Sequence, residues 1–471
     1  MYDLIIENGT VVTSEGVQQT SVAVQGEQIA KVGDLGPERQ SAKRLIDATG
    51  RLVIPGGVDP HCHWNLPFSG ACSEPADYSN QLAFGGTTTA VDFVFHFLKT
   101  NPHMSLHEAI AEKRQESDGL MAVDYGLHVG ICGDAPFEVI DEIGDVIRAG
   151  MPTIKTLTTY EGFMLDEGHR WGVISEVGKH GGMSVVHAED DSIANWLTAK
   201  YVREGKTHGA YISQTRNAVV EEAAVRRTMF LCEAAGSPLY VLHMYAASAV
   251  RTLAEARAKG LPFYGETLSL YLSFNETKLW EENGLRYNNY PTLKTPEDQA
   301  ALWESLADGS LQGVGSDNCS MTLAQRDAMG STIEALQAGA PTGELRLPVV
   351  FHQGVSEGRL SLERFVEVIS TGPARILGLY PRKGQIAEGS DADIAIIDPN
   401  ERWTVRVEDL HGASDYSPWE GWELQGRVRT TILRGQVLVD ELNYVGERAA
   451  GKFVERKLLR EVVQPRPLVS A

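Results

Sequence analysis

Two histidines, His61 and His63, flank a cysteine in the stretch GGVDPHCHW, residues 56–64, just after the apolar run Arg51–Pro55. Residues i and i+2 of a strand point to the same face, so both imidazoles would leave the end of a buried strand side by side. A lone H-x-H is more often two unrelated polar residues in a loop. Four further residues change that balance: Lys155 in TIKTLTTY, His187 in VVHAED, His243 in VLHMY and Asp317 in GSDNC. Four imidazoles and a carboxylate are the donor set of zinc or a similar divalent ion. Lys155 is the odd member, because an ammonium has no lone pair to offer. Its neutral amine can instead react with carbon dioxide to give an anionic carbamate, able to bridge two cations about 3.5–4 Å apart. A lysine snorkelling from the core or pairing with a carboxylate is the plainer role. Residue types alone leave both open.

Something must bring these residues together. Short β-branched or apolar runs recur along the chain at Leu52–Val58, Thr87–Phe93, Val123–Ile131, Thr153–Thr158, Met183–His187, Leu239–His243, Pro262–Glu266 and Leu311–Asp317. Helical stretches lie between them at His107–Glu116, Val219–Ala235, Ala247–Lys259 and Glu297–Ala307. Eight strands alternating with helices predict a closed parallel (β/α)8 barrel of the TIM type. An open doubly wound sheet is the rival, and no G-x-G-x-x-G opens a helix to support a dinucleotide site. Reacting groups of such a barrel sit at the carboxyl ends of its strands. His61 and His63 follow strand one, Lys155 lies within strand four, His187 and His243 end strands five and six, and Asp317 ends strand eight. Chance would not place every candidate on one face. The other nine histidines, such as His96, His103 and His352, lack such placement and read as structural or surface.

Both ends differ in style. Residues 1–50 contain Asp3–Glu7, Val22–Val24 and Ile29–Val32, and Gly384–Ile386, Asp393–Ile397, Val428–Arg434 and Val437–Val439 resume the same short-strand pattern. The two pieces are expected to pair as one small β-sandwich. The domains are then 1–52 and 381–445 for the sandwich, 53–380 for the catalytic barrel, and a tail at 446–471 that packs on a neighbour or stays loose. A formal charge of −21 argues against a nucleic-acid partner, which needs clustered Lys and Arg. No apolar run approaches the roughly 18 residues of a membrane span. The start, Met1–Ile6, lacks the basic and apolar regions of a signal peptide. Five scattered cysteines suit reduced thiols in the cytoplasm.

The chain resembles the cyclic amidohydrolases of the dihydropyrimidinase and hydantoinase family, within the amidohydrolase superfamily. The likeness runs nearly end to end, through GGVDPHCH, GGTTTAVDF, DYGLHVGI, VVHAED, GSDNC, PARILGLYPRKGQIAEGSDADIAIIDP, YSPWEGWELQGRV and ERAAGKF. The resemblance implies a barrel with a β-sandwich from both termini, and two Zn²⁺ per subunit bridged by carboxylated Lys155. It implies His61, His63, Lys155 and Asp317 as ligands of one metal, and Lys155, His187 and His243 as ligands of the other. Tyr160 looks like the donor that polarises the scissile carbonyl. The expected reaction opens a cyclic amide or ureide of hydantoin or dihydropyrimidine type. Metal ions lower the pKa of a shared water, Asp317 acts as general base and then acid, and Tyr160 steadies the oxyanion. A small-molecule substrate and a homotetramer or homodimer belong to the same expectation.

Departures from the family concern the substrate. A serine before the PPLR motif and an asparagine before a GLPGVE motif usually hold the ureide edge. Here those stretches read NNYPTLK and QAGAPTGELR, so Tyr290 takes the serine position and Ala338 the asparagine position. In strand seven, Leu268-Ser269-Leu270 stands where Cys-Pro-Gln is usual. Three loops resemble substrate-gating loops and carry Trp64, Leu66 and Phe68, then Phe93, Phe95 and Phe97, then Leu157, Phe163 and Met164. An apolar lining favours a bulky hydrophobic substituent, unless these residues only pack beneath the loops. A hydrolase acting on another amide, imide, lactam or carbamate is the nearer rival. A non-catalytic scaffold of the same fold is the further one, and all six metal ligands argue against it.

Overall fold

The computed structural model describes residues 1–36, 42–66, 73–96, 105–133, 135–328 and 330–464. Eight parallel strands, Gly57–Asp59, Thr87–His96, Asp124–Ile131, Thr153–Leu157, Met183–His187, Leu239–Val241, Phe263–Leu268 and Gly313–Gly315, pair in chain order. Nearly all their residues are buried on both faces, as barrel strands under a helical layer must be. The last strand meets the first through the segments that follow them. Asp317 N–H donates to the His61 carbonyl at 2.8 Å, and His63 N–H donates to the Asn318 carbonyl at 3.0 Å. The barrel is therefore closed by the backbone of the candidate site itself.

All four expected helices form, within a residue or two of their sequence bounds, at Leu106–Ser117, Ala218–Ala235, Ala247–Ala258 and Pro296–Asp308. Among the described residues, three more helices of ten residues or longer, Pro75–Phe84, Glu167–Lys179 and Asp191–Arg203, escaped the pattern. Gly168, Gly172 and Gly178 dilute the apolar stripe of the second. Its start is nonetheless marked by Asp166, whose side chain accepts from Gly168 and His169 N–H. Asp190 caps the third in the same way, accepting from Ile193 N–H.

One expected strand is two. Leu52–Pro55 pairs antiparallel with Ile394–Ile397, in the terminal sheet, and only Gly57–Asp59 enters the barrel. Gly56 makes the step, and a Cβ there would lie 2.2 Å from Thr88. Gly56 is thus where the chain passes from the terminal sheet to the barrel sheet. Nine strands from both termini build the second sheet. It has a core of its own, including Leu4, Ile6, Val22, Ile394 and Ile432.

Through residue 464 the tail packs on its own barrel, Val454 N–H donating to the Tyr125 carbonyl at 2.7 Å and Arg456 N–H to the Gly150 carbonyl at 2.8 Å. Arg456 is buried under the amino-terminal end of the strands. Its guanidinium donates to Thr153 Oγ1 at 2.7 Å, to the Leu377 carbonyl at 3.3 Å and to the Leu127 carbonyl. A planar five-donor group suits a ring of carbonyls. Nearby, buried Lys383 ties the two units together, with Nζ 2.7 Å from Asp124, 3.0 Å from Asp391 and 2.6 Å from Asp393. Burial opposes its charge, but the three carboxylates outweigh burial and hold its pKa above the ordinary lysine value. Among the described residues no helix is long and apolar enough to cross a membrane.

Candidate metal centre

At the carboxyl end of the barrel the six expected residues converge on one cavity of about 860 Å³, which His61, His63, Lys155, His187, His243 and Asp317 all line. Their rings form a chain: His63 to His61 at 5.3 Å, His61 to His243 at 5.1 Å, His243 to His187 at 4.5 Å, and His187 to Tyr160 at 5.1 Å. Cys62, between the first two histidines, turns away and donates from Sγ to the Val91 carbonyl at 3.4 Å. The backbone is strained here. Tyr160, His243 and Asp317 have φ of 76°, 39° and 47°, a region that side chains other than glycine enter at a cost of about 1–3 kcal/mol each. The fold accepts that strain to aim these side chains inward.

The lone pairs point at a common volume. Ligand atoms of His61, His243 and Asp317 lie within 4.8 Å of one another. Asp317 Oδ1 is 3.0 Å from His61 Nε2 and 3.2 Å from His63 Nε2. Yet His243 Nδ1 is buried with no hydrogen-bond partner among the described residues, and His61 Nε2 has only the Asp317 carboxylate within reach there. Buried acceptors facing one another are costly unless a cation lies between them. Burial lowers the His61 pKa, but Asp317 and Glu266 outweigh it and push it up to about 9. The field at that ring favours positive charge, so the donor set fits a divalent cation.

Behind the imidazoles stand three carboxylates. Glu266 Oε1 lies 2.7 Å from His61 Nδ1, Glu189 Oε2 lies 2.9 Å from His187 Nε2, and Asp92 Oδ1 lies 3.6 Å from His63 Nδ1. Such partners fix the orientation of a ligating ring and raise its basicity. Each carboxylate is balanced in turn. Glu189 pairs with Arg216 at 3.0 Å, Asp92 with Lys113 at 2.8 Å, and Glu266 Oε2 accepts from the Tyr240 hydroxyl at 2.7 Å. The sequence reading missed all three. Glu189 was signalled by its place two residues after His187, and Asp92 and Glu266 by lying within barrel strands where a carboxylate needs a reason.

Lys155 is only 4% exposed, with Nζ 4.0 Å from the centre of the Phe93 ring. No carboxylate lies within ion-pairing distance among the described residues. Burial pulls its pKa down to about 8 against the attraction of Asp317. Burial thus favours the neutral amine more than at an exposed lysine.

Residues 52–438 match the amidohydrolase family. The chain belongs to that family. It is 36% identical over 459 residues to a D-hydantoinase of Geobacillus stearothermophilus, covering 96% of each chain. A D-phenylhydantoinase of Escherichia coli is 31% identical over 468 residues, covering 96% of this chain and 98% of that one. The crystal structure of a dihydropyrimidinase from Brevibacillus agri superposes with a TM-score of 0.92 at 35% identity, covering 97% and 99% of the two chains.

Within this amidohydrolase the expected substrate side is only partly assembled. Tyr160, Tyr290, Leu66, Phe95, Leu157, Phe163 and Ala338 line the cavity. Trp64 does not, since its indole is fully buried, stacks on Tyr78 at 5.6 Å and donates to Ser117 Oγ at 3.0 Å. Phe93 lies under the ligands, 5.0 Å from His61. Both therefore pack beneath the loops. Phe68 and Phe97 lie outside the described residues. The Tyr290 hydroxyl donates to the Leu336 carbonyl at 2.6 Å, tying one cavity wall to another. Arg216, which the sequence reading passed over, stands 4.8 Å from the Tyr290 ring and 5.6 Å from the Tyr160 ring.

Proposed function

We propose that this protein is a hydrolase that opens cyclic amides or ureides of hydantoin or dihydropyrimidine type at a centre of two zinc ions bridged by carboxylated Lys155. The observation that carries this reading is the convergence of the His61 and His63 nitrogens on Asp317, with His243 Nδ1 buried without a hydrogen bond and Lys155 buried outside any ion pair among the described residues. The hydantoinase and dihydropyrimidinase relatives give it a substrate class. His61, His63, Lys155 and Asp317 would hold one ion, and Lys155, His187 and His243 the other. When bound, such ions make a water nucleophilic near neutral pH and polarise the scissile carbonyl. Asp317 accepts the proton of that water and returns it to the ring nitrogen as the C–N bond breaks. Tyr160 donates its hydroxyl to the carbonyl oxygen as negative charge gathers there. A cyclic ureide would leave as an N-carbamoyl amino acid.

Leu66, Phe95, Leu157 and Phe163 support a preference for rings bearing a bulky apolar group. Self-association as a homotetramer or homodimer is supported by Trp171, Trp196 and Phe230, exposed on three adjoining helices. A cytoplasmic site is supported by the scattered, unpatterned cysteines. A second reading, a different amide, imide, lactam or carbamate on the same centre, draws on two facts. Ala338 has no hydrogen-bonding side chain, and the Tyr290 hydroxyl is already committed to Leu336. A panel of cyclic ureides, imides and lactams, followed by chromatography with zinc-loaded enzyme, separates the two. Ring-opened carbamoyl acids are expected. Turnover confined to imides or lactams would move the assignment to the second reading, and none at all would end both.

A further inference from the structure

We propose that Asn289 is a positioning residue that fixes the plane of the Asp317 carboxylate, so that one oxygen faces the histidines while the other is turned to the substrate. Its Nδ2 donates to Asp317 Oδ2 at 2.7 Å, and both residues are buried at the cavity wall. The other oxygen, Oδ1, faces His61 and His63. The main chain does not fix that plane. Asp317 N–H is fixed to His61, but the terminal torsion of a carboxylate is broad, leaving the plane free to turn. A carboxamide donor on Oδ2 removes that freedom, and it does so at every pH because it does not titrate. Asn289 is itself anchored on both sides. Asn288 donates from Nδ2 to the Gln337 carbonyl at 3.1 Å and accepts from Thr292 Oγ1 at 2.8 Å, while Tyr290 is tied to Leu336.

The kinetic consequence rests on the proposed hydrolase reading, whereas the effect on metal retention does not. The test uses the full-length, zinc-loaded protein with Asn289→Leu, which keeps the branching at Cγ but cannot donate, and Asn289→Ala. Zinc retention against a chelator should fall about tenfold in both, as when a ligating carboxylate loses its outer partner. On a substituted hydantoin, kcat should also fall about tenfold while KM stays within about twofold. A space-filling role would spare the Leu variant and damage only the Ala variant. A substrate-gripping role would raise KM and leave kcat and zinc retention unchanged. Either result overturns the proposal, and if one variant fails to fold, the other is still judged by zinc retention. Should the wild type open no ring, the hydrolase reading falls while zinc retention still decides the part played by Asn289.

Discussion

Two lysines of this chain are buried almost equally, Lys155 at 4% exposure and Lys383 at 1%, and their charges take opposite courses. Lys383 sits among Asp124, Asp391 and Asp393 and is held firmly protonated. Lys155 sits over Phe93 beside imidazoles, with no carboxylate in ion-pairing distance among the described residues, and burial lowers it to about 8. Desolvation is common to both, so the neighbours decide. A buried amine with three counter-ions is a staple between the barrel and the terminal sheet. One outside any ion pair among the described residues is the amine that the proposed carbamate would need.

Substitution should separate these roles. The largest effect is expected for Lys155→Ala. Two bridged cations would be left facing each other, so metal content should collapse and kcat should fall by 10³-fold or more, on the order of the several kcal/mol such ions supply. Metal-free Lys155→Ala should unfold in urea no earlier than metal-free wild type, because an unpaired buried amine has been removed. Elemental analysis, turnover and a urea titration check this.

Asp317→Asn keeps an oxygen for the metal but loses the proton acceptor. A fall in kcat of roughly 10²–10⁴ is expected with part of the zinc retained. Substantial turnover in that variant would remove Asp317 from the proton-transfer role.

Lys383→Met inverts the Lys155 pattern. Stranding three buried carboxylates should cost about 3–5 kcal/mol of stability, read from the urea midpoint, while kcat per folded chain stays unchanged. A loss of activity without a loss of stability would erase the distinction between the two lysines.

The smallest effect is expected at the rim of the Lys155 cluster. Phe95, 5.5 Å from Lys155 Nζ and stacked on Phe93 at 5.8 Å, also lines the cavity, so in Phe95→Ala the KM for an aryl-substituted hydantoin should rise roughly tenfold, the value of part of a buried aromatic ring. KM for dihydrouracil should scarcely move.

That the six candidate ligands share one cavity was legible because strand ends can be read from apolar runs, and a barrel puts all strand ends on one rim. Placing Lys155, His187, His243 and Asp317 at those ends needed no knowledge of contacts. Gly56 hid because a single apolar run, Leu52–Val58, serves two sheets. The outer carboxylates were overlooked for a different reason: their positions hint at a role, but Glu266 meets His61 across 205 residues of sequence, and nothing local records that partner. Trp64 misled because an aromatic residue after a ligand reads equally well as cavity lining or as core, and the hydroxyl of Ser117 drew it inward.

The chemical state of Lys155 is the centre of the account, and carbon-13 NMR after exchange with labelled bicarbonate reads it directly. Zinc-loaded wild type should show one carbamate resonance, retained in Lys383→Met and absent from Lys155→Ala. An active, zinc-loaded wild-type enzyme without that resonance, or a resonance that survives in Lys155→Ala, would contradict the bridge and with it the contrast between the two lysines.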